Sequence, residues 1–250
     1  MDISRFDQTF LARTLQKRGE AGDLGADQSL EESLTISYSE FFRNPLTYAT
    51  LEKIVLPSLA ARARGSSRKE LRFWSSACAG GQEAYTLAIL MEELGNRGLS
   101  DLKYRIFATD LSAPQVERAN VGWYSATEVK NLSVRRLGDW LVGQDGGYQV
   151  VPLLREKIEF STFDFFDETH GSPPGSIFGD FDLILCANVL FYYNDESRAT
   201  ILKKLGRALT AEGFLITDEV ERSLMKGHGW QEVYHQTAIF RPNQHQWRQQ

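Results

Sequence analysis

The stretch Leu71 to Glu93, LRFWSSACAGGQEAYTLAILMEE, decides how the rest of the chain is read. A short apolar run at Leu71, Phe73 and Trp74 gives way to small residues from Ser75 to Gly81. These lead into a helix-forming run, Gln82 to Leu94, with apolar Tyr85, Ala88, Ile89 and Met91. The pattern predicts strand, tight turn and helix. Small residues at such a turn let a ligand approach the backbone, and the N–H groups of the first helical turn face whatever sits there. The stretch is the expected floor of a nucleotide-like cofactor site.

Around it lie 250 residues, 42% hydrophobic and 24% charged, enough for one globular domain with a substantial core. A net charge of −5 argues against general nucleic-acid binding. The opening residues, MDISRFDQTFLARTLQKRG, carry scattered charge and no apolar h-region, and no run reaches the length of a membrane span. A cytoplasmic location without membrane insertion is expected. Cys78 and Cys186 read as small buried hydrophobes, and the four histidines show no ligand spacing, so no metal is expected.

Upstream of the central stretch, Phe6, Phe10, Leu11 and Leu15 fall at helical spacing and predict an amphipathic helix packed on its own domain, a docking helix being the alternative. Gly19 to Ser33 is polar and reads as a linker. Residues 1–32 thus form a short helical segment and linker, 33–241 the main domain and 242–250 a flexible tail. Arg43 abuts Phe41 and Phe42. A guanidinium held there suits a fixed anion because it matches a carboxylate bidentately, although a surface ion pair is equally open.

Downstream, Lys103 to Thr109 predicts a second strand with Asp110 at its carboxyl end, placed to accept both hydroxyls of a ribose or to cap the next helix. The turn Gly143-Gln-Asp-Gly-Gly147 predicts a hairpin, part of a small β subdomain over about 135–162. Lys157 to Phe163 alternates as a strand followed by Asp164. Phe181 to Ala187 reads as a strand buried on both faces, with Asn188 at its end. A helix from Glu196 to Leu209, a strand Gly213 to Thr217 and one or two strands within Gln231 to Phe240 complete the pattern. Strands alternating with helices give an α/β doubly wound sheet with helices on both faces. Asp110, Asp164 and Asn188 end different strands on the edge that carries the Gly80-Gly81 turn, which defines a pocket. That turn is not Gly-x-Gly-x-x-Gly, so a pyrophosphate has no special claim on it and a nicotinamide dehydrogenase is disfavoured. Adenosine without phosphates fits better, and S-adenosylmethionine (SAM) is the obvious ligand.

These residues resemble the CheR family of chemotaxis receptor methyltransferases, which transfer methyl from SAM to glutamate side chains of chemoreceptors. The matching stretches are Ser39-Glu-Phe-Phe-Arg43, Trp74 to Thr86, Ala108-Thr-Asp110, Asn120-Val-Gly-Trp-Tyr124 with Asn131-Leu-Ser133, and Cys186-Ala-Asn-Val-Leu-Phe-Tyr192. Order and spacing agree from about Ser33 to Phe240. The resemblance implies a Rossmann-like class I SAM-dependent methyltransferase sheet with an antiparallel C-terminal strand and a small inserted β subdomain. It implies a protein-glutamate O-methyltransferase that converts SAM to S-adenosylhomocysteine (SAH), with a chemoreceptor cytoplasmic domain as its protein partner.

By the same resemblance, Arg43 binds the methionyl carboxylate, and Glu83 with Ala77 and the Gly80-Gly81 turn holds the methionyl end. Ser37 and Ser39 join the cofactor set, Asp110 takes the ribose, and Asp164 and Phe165 face the adenine. Ala187 and Asn188 lie beside the cofactor, and Tyr192 stands near the transferred methyl as a positioning group or, alternatively, a packing aromatic. A glutamate acceptor, with a pKa near 4.3, is already ionised at neutral pH, so no general base is required. Three departures stand out: Gln82 replaces one of two acids, the usual Cys-Arg-Asn is Cys186-Ala187-Asn188, and Asp218-Glu219 replaces a Gly-His pair. Ala187 and the short N-terminal region favour an alternative, a regulatory module that binds SAM or its product without methylating receptors.

Overall fold

The computed structural model describes residues 2–20, 39–66, 68–99, 102–176 and 179–243. Among the described residues there are ten strands: β1 Glu70–Ser75, β2 Lys103–Asp110, β3 Trp123–Tyr124, β4 Leu141–Gln144, β5 Gly147–Val150, β6 Ile158–Thr162, β7 Phe181–Leu185, β8 Leu209–Ile216, β9 Trp230–Glu232 and β10 Ile239–Pro242. Seven of them form one sheet in the order β6-β2-β1-β7-β8-β10-β9. The five from β6 to β8 are parallel, whereas β10 is antiparallel to both β8 and β9.

Alternation along each strand sorts side chains between two cores. Leu71, Phe73, Leu183, Leu185, Phe214 and Ile216 pack on one face with the helices Leu56–Gly65 and Gln82–Leu94. Trp74, Ile184, Cys186 and Leu215 point to the other, against Ile201, Leu202 and Leu205 of the helix Asp195–Ala208. All five residues of β7 are buried because both faces are covered. Cys78 and Cys186 are free and buried.

From β1 the chain builds outward through β2 to β6, then crosses back to place β7 on the other side of β1. The crevice above β1 and β7 is the topological switch point, where open α/β sheets bind ligands.

The expected hairpin is present, with its Asp145-Gly146 turn at φ 51 and 76, a pair of positive angles suited to a tight hairpin. It is one part of a three-stranded sheet, because Trp123–Tyr124 pairs with β5. The subdomain expected over 135–162 is also shifted: 158–162 is the edge strand β6 of the main sheet, paired with β2 and turning Ile158 into the core.

The helix near the N-terminus runs Gln8–Glu20 and packs on its own domain. Phe6 forms a β-bridge with Tyr193 and stacks on its ring at 5.2 Å, while Phe10 meets Tyr192 at 4.7 Å. The Asp7 N–H donates to the Tyr192 carbonyl at 2.8 Å, and the Asn194 N–H to the Arg5 carbonyl at 2.9 Å. Most of the linker and of the tail lies outside the described residues. Among the described residues, no helix is long and apolar enough to cross a membrane.

Candidate cofactor site

The turn after β1 is tied to both neighbouring strands. Ser76 N–H donates to the Leu185 carbonyl and Cys78 N–H to the Thr109 carbonyl, both at 2.8 Å. Ala79 sits at φ 46 and donates its N–H to Asp110 Oδ2 at 2.8 Å, while Ser112 N–H donates to Asp110 Oδ1 at 2.9 Å. Asp110 therefore pins the turn and holds Ser112, the residue that precedes the helix Ala113–Val121. Each of its oxygens keeps further acceptor capacity. Burial pushes its carboxyl up, against these backbone donors. Gly81, at φ 88, begins the helix Gln82–Leu94, and a Cβ there would lie 2.8 Å from the Ala119 side chain. Glycine is required by packing as well as by the left-handed backbone.

A pocket opens beside this turn, lined by six of the expected residues: Ser39, Arg43, Ala77, Glu83, Ala187 and Asn188. Glu40, Asn44, Thr47, Tyr48 and Asp218 line it as well. Glu83 accepts from Ser75 Oγ at 2.7 Å. Burial pushes its carboxyl up to about 7, Glu221 and Asp218 add to the shift, and Arg43 opposes it. Gln82, the atypical residue of the turn, points away from the pocket toward Glu128.

Asp218 and Glu221 are the residues that sequence reasoning missed. Asp218 is 3% exposed, and its Oδ2 meets Arg43 Nε at 3.3 Å, Asn44 Nδ2 at 3.1 Å and Asn188 Nδ2 at 2.9 Å. Glu221 is fully buried and accepts the backbone N–H groups of Asn188, Val189, Leu190 and Asp218 at 2.7–3.1 Å. Burial raises its carboxyl to about 7, although these donors favour the ionised form. Together the two acids make a capping box at the 3-10 helix Glu219–Met225. An acid at the carboxyl end of β8, followed three residues later by glutamate, was the available signal. Glu221 also holds Asn188 at φ 61, a left-handed conformation that asparagine tolerates better than most residues.

The remaining expected residues stand along the same edge without lining this pocket. Asp164, exposed just past β6, accepts the Phe166 N–H at 2.8 Å. Phe165 is 6% exposed and packs edge-on against Phe163 in the core, so its ring is covered by protein. Tyr192 is half-buried between Phe10 and Phe191, and burial raises its hydroxyl pKa. Gly80 and Gly81 shape the turn, with the Gly80 carbonyl held by Tyr124 OH at 2.6 Å. Ser37 lies outside the described residues.

With the small sheet set aside, the strand order is third, second, first, fourth, fifth, seventh, sixth, and the seventh runs antiparallel to its neighbours. This sheet, with a site at the switch point, defines a class I SAM-dependent methyltransferase. The donor set fits the cofactor: a guanidinium for a carboxylate, and buried acids for cationic groups. Residues 37–239 match the family model described as CheR methyltransferase, SAM binding domain, and the chain belongs to that family. It is 35% identical over 191 residues to a chemotaxis protein methyltransferase of Listeria monocytogenes, covering 76% of this chain and 67% of that one. Identity to chemotaxis protein methyltransferase 1 of Pseudomonas aeruginosa is 31%, over 76% and 68% of the two chains. A probable biofilm formation methyltransferase, WspC, of the same organism is 28% identical over 85% of this chain and 48% of its own. SAM is the cofactor.

Proposed function

We propose that this chain methylates glutamate side chains of a chemoreceptor cytoplasmic domain. The observation that carries the reading is the pocket at the β1–β7 switch point, where Arg43, Glu83 and Asn188 meet with no histidine, cysteine or lysine in the described lining. Such a site suits an acceptor that arrives ionised, as a glutamate does. Bound SAM supplies an electrophilic methyl group on a sulfonium centre. Arg43 holds the methionyl carboxylate, Glu83 and the Ala77 to Gly81 turn hold the methionyl end, and Asp110 takes the ribose with its remaining acceptor sites. Asp164 and the Phe165 backbone border the adenine, and Ser39, Ala187 and Asn188 flank the cofactor. Tyr192 orients the acceptor carboxylate. Alignment and exclusion of water are the protein's contribution, and orientation alone supplies on the order of 7–11 kcal/mol in such reactions.

Titration with SAM by calorimetry and transfer from methyl-labelled SAM to receptor cytoplasmic domains test this reading. Binding abolished by Arg43→Ala and Asp110→Ala, with base-labile label on the receptor, is expected. Binding indifferent to both substitutions overturns it. Ala187, where the family pattern has arginine, favours a second reading, a module that binds SAM or SAH without transfer. Tight binding with no labelled receptor would select that one.

A further inference from the structure

We infer that Asp218 is a positioning residue of the cofactor site, fixing the Arg43 guanidinium for the methionyl carboxylate and the Asn188 side chain beside the cofactor. This inference rests on the cofactor pocket proposed above. Asp218 stands just past the end of β8, lines the pocket and is 3% exposed. One oxygen, Oδ2, meets Arg43 Nε at 3.3 Å, Asn44 Nδ2 at 3.1 Å and Asn188 Nδ2 at 2.9 Å. The other, Oδ1, accepts the Val220 N–H at 3.1 Å. Asn188 is gripped twice, because Glu221 Oε2 accepts its N–H at 3.0 Å and that of Asp218 at 3.1 Å. One carboxylate thus sets the segment before the helix Pro45–Thr50 against the loop after β7.

Arginine carries much rotamer freedom, and a guanidinium already held in place gives up less of it on binding. The opposite reading makes Asp218 a stand-in that competes with the methionyl carboxylate for Arg43. Its burial and its four donors argue against release when a ligand arrives. Charge decides little for SAH, whose methionyl end is a zwitterion: Asp218 attracts the ammonium and repels the carboxylate, and the two effects largely offset. What remains is geometry.

Calorimetric titration of the whole chain compares SAH with 5′-methylthioadenosine, which keeps the adenosine and the sulfur but has no methionyl carboxylate or ammonium. The ratio of the two dissociation constants reads the methionyl end alone. Wild type is expected to prefer SAH at least about a hundredfold. Asp218→Asn has a single acceptor oxygen for the same donors, and it is expected to lower the ratio about tenfold with 5′-methylthioadenosine binding unchanged. Because Asp218 also caps a helix, Asp218→Glu is measured beside it; it keeps the charge, moves the carboxylate by one methylene and is expected to lower the ratio similarly. Equal weakening of both ligands marks a purely structural role and overturns the inference. An unchanged ratio, tighter SAH binding by Asp218→Asn, or a ratio kept by Asp218→Glu overturns it too. A wild type that binds neither ligand, or does not distinguish them, overturns the cofactor pocket as well.

Discussion

At the scale of the residue, one carboxylate organises the rim of the pocket. Glu221 accepts four backbone N–H groups, three from the turn after β7 and one from the end of β8. In Glu221→Gln, an NH₂ group faces two of these donors, and each buried group left unmatched costs about 1–3 kcal/mol. Urea unfolding at pH 8 is expected to show at least about 2 kcal/mol of lost stability. Glu83 gives a signature in pH. Its folded pKa, about 7, lies above its ordinary 4.5 because of burial, with Glu221 and Asp218 nearby and with Ser75 and Arg43 opposing. The folded chain keeps this proton where the unfolded chain has released it. Its contribution is full below about 4.5 and lost as pH rises through 7. The thermal midpoint of the ligand-free protein is expected to fall between about pH 5 and 7. Glu83→Gln reduces that slope, and Glu221, raised in the same way, carries the part that remains. A slope unchanged in this variant assigns it to other groups.

At the scale of the element, Arg136 joins three helices. From the helix Val134–Trp140 it reaches Glu93 of the helix Gln82–Leu94 at 2.7 Å and Glu52 of the segment Leu51–Val55 at 2.8 Å. Its guanidinium also lies 4.2 Å from the Phe42 ring, next to Arg43. Burial alone would raise Glu52, but hydrogen bonds from Lys53, Arg136 and Arg97 hold it down to about 2. This stability is present above the ordinary 4.5 and is lost as pH falls toward 2. Arg136→Ala leaves the buried Glu93 with only the exposed Arg135, and a loss of about 2–3 kcal/mol is expected at pH 7. The loss shrinks at pH 3, as denaturant titration at the two values would show.

Most elements were legible in the sequence because their signals are local. Phe73 and Trp74 fall on opposite faces by alternation alone, and Asp145-Gly146 declares its own turn. What was not legible depends on which segments meet in space. Trp123 pairs with Gln149 through no local signal. Phe165 is a core ring although it follows a strand end where a ligand was expected. The link of Asp218 to Arg43 requires residues 175 positions apart to meet, so the departure was visible and its partner was not.

At the scale of the whole molecule, the sheet brings the pocket together from segments spread between Ser39 and Asp218. A ligand bound there stabilises the entire fold. SAM at a hundredfold excess over its dissociation constant is expected to add about 2.7 kcal/mol. At roughly 2–4 °C per kcal/mol for a chain of this size, the thermal midpoint rises by about 5–10 °C. Asp110→Ala removes both the proposed ribose acceptor and the anchor of Ala79, and the shift is expected to vanish in a thermal-denaturation assay.

The N-terminal contacts carry a practical consequence. Arg5 and Asp7 bracket Tyr192 to Asn194 with two backbone hydrogen bonds, while Phe6 and Phe10 cover the two tyrosine rings. Cutting away the first dozen residues for expression strips both rings and deprives the Tyr192 carbonyl of the Asp7 N–H. Recombinant versions that differ only at this end differ in how Tyr192 and Tyr193 are packed.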